Sequence, residues 1–153
     1  MRAVVQRVTS ASVTVEGEVV SAIGPGLLCL IGLRETDTQK DLDFICKKIL
    51  TLRAWPHPDN GKPWDLSVTA AGYEVLMVSQ FTLYARFKKP KPDFSKAMGP
   101  QTAKDMYGQL VEAVRQQYEA DRVKDGVFGA KMDVQLVNDG PVTYILDSTD
   151  PDG

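Results

Sequence analysis

The chain reads as a single α+β domain, a mainly antiparallel, barrel-like sheet carrying two helices. Three observations predict this. Its 153 residues are one domain's worth, since domains usually run ~100 to 200 residues. Short β-branched runs of period two outnumber helical stripes, and the hydrophobic (43%) and charged (25%) fractions are those of a folded globular chain. The strand-like segments follow one another, with no βαβ alternation, which favours antiparallel pairing. The domain is expected to span residues 1–146, followed by a polar, frayed tail at 147–153.

Met1 to Val8 and Ala11 to Val15 alternate polar and apolar residues, and Glu16-Gly17 joins them to Glu18 to Ile23 in the pattern of a hairpin. Gly24-Pro25-Gly26 breaks the chain before a continuous apolar strand ending at Leu33. Thr38 opens a helix whose Leu42, Ile45, Cys46, Ile49 and Leu50 recur at i, i+3 and i+4, with Asp41 placed for a capping box. Pro56 to Gly61 is a turn-rich loop, after which Tyr73 to Leu83 reads as one long buried strand. Pro90 and Pro92 deny regular structure to the next segment. Pro100 suits the first turn of a second helix, Gln101 to Tyr118, in which Ala103, Met106, Tyr107, Leu110, Val111, Val114 and Tyr118 form a packing stripe. Lys131 to Val137 and Val142 to Leu146 are expected as two strands joined by a tight connection, Asn138-Asp139-Gly140-Pro141.

The longest apolar run, Leu27 to Leu33, is far shorter than the ~20 residues of a membrane helix, so no membrane partner is expected. Met1 to Val15 lacks the continuous apolar core of a secretory signal, which predicts a cytoplasmic address. Cys29 and Cys46, without CxxC partners, read as buried thiols. The net charge of −2 argues against a general nucleic-acid-binding surface, yet Tyr84 to Met98 holds five basic residues and one acid, a local +4 that leaves −6 elsewhere. Such a loop is either a solvated surface or a focused patch for a phosphate backbone through Lys88, Lys89 and Lys91.

Conventional hydrolytic machinery is scarce. A serine or cysteine nucleophile needs a base, and His57, the only histidine, lies between two prolines in a loop. One histidine and two isolated cysteines cannot assemble a zinc set, and neither standard phosphate-loop spacing occurs, so neither metal nor cofactor is expected. Two segments remain. Ser79-Gln80-Phe81-Thr82-Leu83 leaves a buried strand, and Asn138 to Thr143 lies between two others. Polar side chains and backbone N–H groups at such exits either close turns or bind and stabilise an oxyanion, which requires no titratable side chain.

From Met1-Arg2-Ala3-Val4-Val5-Gln6-Arg7-Val8 to Leu146 the sequence closely resembles the D-aminoacyl-tRNA deacylases, also called D-tyrosyl-tRNA deacylases. Ser79-Gln80-Phe81-Thr82-Leu83 resembles the family's first signature, Asn138-Asp139-Gly140-Pro141-Val142-Thr143 its second, and Lys124-Asp125-Gly126-Val127-Phe128-Gly129-Ala130 also fits. The resemblance implies a homodimer that hydrolyses the ester between a D-amino acid and the acceptor end of tRNA, and glycine mischarged on alanine tRNA, with the ribose 2′-hydroxyl assisting. It implies that Gly140 and Pro141 form a cis peptide whose carbonyls enter the partner's pocket and exclude L-amino acids, with Arg7 holding that turn. Ser79 and Gln80 would line the pocket, with the Phe81 and Thr82 N–H groups near the scissile carbonyl, and Phe128, Gly129 and Met132 would seat the terminal adenine. The chain departs from its relatives at Lys88-Lys89-Pro90-Lys91-Pro92, where Lys-Gly-Asn-Lys/Arg-Pro is usual, and at Gly61-Lys62-Pro63-Trp64-Asp65. The competing readings are a nucleic-acid-binding module without catalysis, and a serine, threonine or cysteine hydrolase dependent on His57.

Overall fold

The computed structural model describes residues 1–153 as six strands and three α-helices. Strand β1 (Arg2–Val15) is the spine. One of its edges pairs antiparallel with β3 (Gly26–Gly32) through residues 2–8 and with β2 (Glu18–Ile23) through residues 11–15. Its other edge carries β6 (Asp133–Asp147) antiparallel from residue 2 to residue 14. Strands β4 (Glu74–Ser79) and β5 (Val123–Asp125) extend the sheet from β3 in parallel.

The sheet is therefore mixed, and the expected lack of βαβ alternation does not hold. Helices α1 (Gln39–Thr51) and α2 (Val68–Ala71) cross between β3 and β4, and α3 (Pro100–Gln117) crosses between β4 and β5. The unbroken apolar runs of β3 and β4 carried this signal, because strands covered on both faces have no polar side to alternate with. Helix α2 is a single turn capped by the Ser67 hydroxyl, which accepts from the Ala70 N–H at 3.2 Å, and it is too short for a periodic signature. Helix α1 begins as expected, with the Thr38 N–H donating to Asp41 at 2.8 Å.

Helices α1 and α3 cover one face of the sheet, where Val5, Cys29 and Met77 pack with Ile45 and Leu110. On the other face the sheet curls around Val8, Val13, Ile23, Leu28 and Leu76. Curling brings β2 toward β4 and β5: the Ser21 hydroxyl donates to the Asp125 carbonyl, and the Gly24 N–H donates to the Glu74 carboxylate at 3.0 Å. The result is nearly barrel-shaped.

Strand β5 has no counterpart among the expected elements, and three further segments differ from expectation. The strand expected over Tyr73 to Leu83 ends at Ser79, and a 3₁₀ turn, Phe81–Tyr84, follows. The two strands expected at the C-terminal end are one, because both halves of β6 pair with β1 in the same direction. Gln6 faces Thr143 and Val8 faces Asn138, so two steps along β1 span five along β6, and residues 139–142 bulge out instead of reversing the chain. The tail is fastened at its root. Asp147 accepts from Arg2 Nε at 2.8 Å, and the Ser148 hydroxyl donates to Asp41 at 2.6 Å. Burial raises the Asp147 pKa, but the bonds from Arg2 and Thr149 outweigh it and hold the carboxyl at about 2.

The β3–β4 pairing depends on Gly26, where a Cβ would lie 1.9 Å from the Glu74 carbonyl oxygen. Gly26→Ala should destabilise the domain by about 3 kcal/mol, lowering the calorimetric midpoint by roughly 6 to 12 °C. Gly108→Ala, on an exposed face of α3 with nothing within 4 Å of the added Cβ, should raise it instead.

Candidate active site

A cavity of about 590 Å³ opens where β4 leaves the sheet. Ser79, Gln80 and Phe81 form part of its lining, and Phe128, Gly129 and Met132 contribute another part. Ile31, Leu33, Met98 and Ala103 make it largely apolar. Two sequence segments separated by some 45 residues thus converge on one space, and six of the residues expected at the site line it.

The lip is built by an abrupt end to strand pairing. The Gln80 N–H still donates to the Ile31 carbonyl at 2.7 Å, and the chain then tightens so that the Leu83 N–H donates back to the Gln80 carbonyl at 3.2 Å. Gly32 permits the approach, since a Cβ there would lie 2.8 Å from Leu83 Cβ. The first N–H groups of a helical turn have no partner within it, and those of Phe81 and Thr82 find no acceptor elsewhere in the protein. They are two adjacent unpartnered donors. Phe81 is 57% exposed and meets Phe94 edge-on at 4.8 Å between ring centroids. Phe94 also lines the cavity, a role its position beside a Pro-rich loop did not signal.

The Phe128–Met132 wall hangs from Asp125 at the end of β5. The Gly126 N–H donates to the Met77 carbonyl at 3.0 Å, the Tyr107 hydroxyl donates to Asp125 Oδ1 at 2.5 Å, and the Tyr107 ring lies 5.7 Å from that of Phe128. Burial raises the Asp125 pKa against the opposing Tyr107 bond and Arg115 charge, and burial, followed by the Asp125 charge, pushes the Tyr107 phenol up. Tyr107 belongs to the packing stripe, as expected, and its hydroxyl also anchors this wall. The only signal in the sequence was a phenol hydroxyl, one of two with that of Tyr118, on a stripe of otherwise apolar side chains.

Arg7, Gly140 and Pro141 gather elsewhere. The Arg7 side chain is 14% exposed and lies opposite the β6 bulge, with Nε 3.1 Å from the Asp139 carbonyl and 3.3 Å from its carboxylate, and it also donates to the Ala54 carbonyl. The Gly140–Pro141 peptide is cis, Gly140 has φ +123°, and both residues are exposed. Neither they nor Arg7 line the cavity of their own chain. Lys88, Lys89 and Lys91 are exposed on a loop closed by two backbone bonds between Arg86 and Asp93, at 2.8 and 2.9 Å.

Thr82 is exposed and its hydroxyl accepts from the Gln80 amide. His57 accepts at Nδ1 from the Asp59 N–H at 3.1 Å and does not line the cavity. Cys29 and Cys46 are fully buried, and burial raises both thiol pKa values, that of Cys46 to about 11 with a contribution from Asp43. Nowhere do three His, Cys, Asp or Glu side chains gather as metal ligands.

The cavity thus lies at a strand exit beside a turn that carries two unpartnered N–H groups, with Phe81 but not Thr82 in its lining and Phe128 on the opposite wall; N–H groups at such an exit can stabilise an oxyanion without any titratable side chain. The family described as D-Tyr-tRNA(Tyr) deacylase matches residues 4–147. A D-aminoacyl-tRNA deacylase of Dictyostelium discoideum is 52% identical over 148 residues, covering 97% of this chain and 98% of that protein. The human D-aminoacyl-tRNA deacylase 1 is 50% identical over 151 residues, covering 99% of this chain and 72% of that one. A solved structure described as c-Myc DNA Unwinding Element Binding Protein superposes with a TM-score of 0.92 at 50% identity, over 96% of this chain and 98% of its own. The chain belongs to the D-Tyr-tRNA(Tyr) deacylase family. It is an enzyme, a hydrolase of the deacylase class.

Tyr107→Phe keeps the ring and removes the bond to Asp125. It should cost about 1 to 3 kcal/mol of stability and raise KM more than it lowers kcat, because the wall loosens while the lip stays in place. Adding Asp125→Asn should bring little further loss, as a double-mutant cycle of stabilities and steady-state kinetics will show.

Proposed function

We propose that the protein hydrolyses the ester between a D-amino acid, or glycine mischarged on alanine tRNA, and the terminal adenosine of tRNA. It would thereby remove D-amino acids before they enter translation. The observation that carries the reading is the pair of unpartnered Phe81 and Thr82 N–H groups on the turn where Phe81 lines an apolar cavity; Thr82 is one residue beyond that lining, and His57 and both thiols are not part of it. In this reading the adenine seats against Phe128, Gly129 and Met132, and Ser79 and Gln80 flank the aminoacyl group. The ester carbonyl meets the two N–H donors. Water adds to the carbonyl carbon and the carbonyl π electrons move to the oxyanion held by those donors; the oxyanion then re-forms the carbonyl as the bond to the ribose 3′-oxygen breaks and its electron pair leaves on that oxygen. The 2′-hydroxyl of the same ribose takes the proton from the water and relays one to the leaving 3′-oxygen. An aminoacyl ester is activated enough for positioning and oxyanion stabilisation to suffice.

Chirality is read, on this proposal, by the Gly140 and Pro141 backbone of a second subunit entering the cavity. Two observations support a homodimer. The turn held by Arg7 lies outside its own chain's cavity, and β6 leaves a whole edge unpaired beside exposed Val137 (54%) and Ile145 (77%), an arrangement prone to pairing with another chain. Lys88, Lys89 and Lys91 would grip the acceptor backbone. No helix is long and apolar enough to cross a membrane. Binding of nucleic acid without hydrolysis is the alternative suggested by the DNA-binding description of one solved relative, and the cavity favours the esterase reading over it.

The deciding assay compares D-tyrosyl-, L-tyrosyl- and glycyl-tRNA(Ala). The D-ester and glycine should be released and the L-ester left largely intact; equal rates on both enantiomers, or none, contradict the proposal. Thr82→Ala and His57→Ala should fall far short of the loss on the order of 10⁴-fold that follows removal of a nucleophile or its base. In Gly140→Ala the new Cβ would meet Val142 Cγ2 at 2.9 Å in a positive-φ backbone, so the turn must shift and the ratio of D to L rates should fall.

A further inference from the structure

We propose that Phe87 is a stacking platform for an unpaired base of the tRNA 3′ overhang, one of the nucleotides that precede the terminal adenosine. The inference rests on the tRNA reading above and adds to it a residue that the two signature segments do not include. Phe87 is 72% exposed, more than Phe81 (57%) or Trp64 (54%), and no aromatic partner covers it. A ring held in water this way has no role in the core.

Its surroundings indicate what covers it. Arg86 precedes it and Lys88, Lys89 and Lys91 follow, with Asp93 the only acid in the loop. The stem is firm: Arg86 and Asp93 exchange two backbone hydrogen bonds, and Asp93 accepts from the Ser95 N–H and hydroxyl at 2.8 and 3.1 Å. Pro90 and Pro92 restrict the apex. The loop also stands on the cavity wall, since the chain enters it from the turn that begins at Phe81 and leaves it at Phe94, two rings that touch each other and line the cavity. A nucleotide strand whose last nucleoside occupies the cavity has its preceding nucleotides within reach of this loop. Lysines against phosphates combined with an aromatic face against a base make the usual single-strand nucleic acid site. A phenyl ring has no hydrogen-bonding group, so it would accept any base. The density of positive charge disfavours a second copy of the same loop as the occupant.

The test measures kcat/KM on D-tyrosyl-tRNA and on the D-tyrosyl ester of adenosine, which lacks the overhang, together with the affinity for uncharged tRNA. For Phe87→Ala the ratio of kcat/KM for tRNA to that for the adenosine ester should fall about 5- to 140-fold, the range produced by losing one base stack, and tRNA affinity should fall with it. Phe87→Trp should retain both, with its added fluorescence quenched by tRNA. A ratio and an affinity within twofold of the parent would overturn the proposal, as would equal losses on both substrates or a weakened dimer, which would make Phe87 a protein contact. Should the parent hydrolyse neither ester, the deacylase reading fails, and the affinity measurement still decides the role of Phe87.

Discussion

The candidate site as a whole depends on β1 being paired along both edges. Its first half holds β3, which in turn positions β4 and β5, and its whole length holds β6. The opening of the cavity is set by where β4 stops pairing with β3, and its far wall by where β5 ends. The bulge at 139–142 is set by the mismatch of β6 against β1 on either side of Arg7. A slip of one residue in β1 would reverse its faces, moving Val5 and Val8 out of their cores and Arg7 away from Asp139. The register that buries the core is the register that places the site.

Much of this is legible in the sequence, and the failures have physical causes. The hairpin of β1 and β2, the Thr38 cap, the Pro100 start of α3 and the buried thiols follow from local rules, and the structure has them all. Parallel pairing of β3, β4 and β5 is not legible in the same way, because it joins segments separated by whole helices, and only the loss of polar alternation hints at it. The strand expected over Tyr73 to Leu83 is too long, since Phe81, Thr82 and Leu83 favour strands by composition while the close packing against Gly32 favours a tight turn. The single strand β6 reads as two because Gly140-Pro141 is the usual sign of a reversal. In the site, six lining residues follow from the family resemblance, Ser79, Gln80 and Phe81 from its first signature and Phe128, Gly129 and Met132 from in and just beyond the Lys124 to Ala130 stretch. Phe94 and the Tyr107 hydroxyl do not, since one sits beside a disordering composition and the other on a stripe that packing alone accounts for.

The chemistry follows from what the cavity offers. A hydrolase that carried its own nucleophile would place a base within hydrogen-bond reach of it, whereas here the only imidazole bonds within its own loop and the buried thiols are held protonated. On the proposed reading what remains is geometry: a pocket for a flat ring, two backbone donors that need no reorganisation, and a substrate already reactive enough to yield to them. Backbone donors do not titrate, so such a site tolerates substitution of many side chains and is sensitive to displacement of the turn itself.

Hydrolysis by such a site depends on where the substrate carbonyl sits. The direct measurement is a crystal structure of the protein with a D-tyrosyl adenosine in which an amide replaces the 3′-ester. The carbonyl oxygen should lie about 2.7 to 3.1 Å from the Phe81 and Thr82 N–H nitrogens, with the adenine against Phe128 and a second subunit's Gly140-Pro141 over the α-carbon. A carbonyl turned away from both N–H groups, toward the Thr82 hydroxyl or His57, would contradict this arrangement.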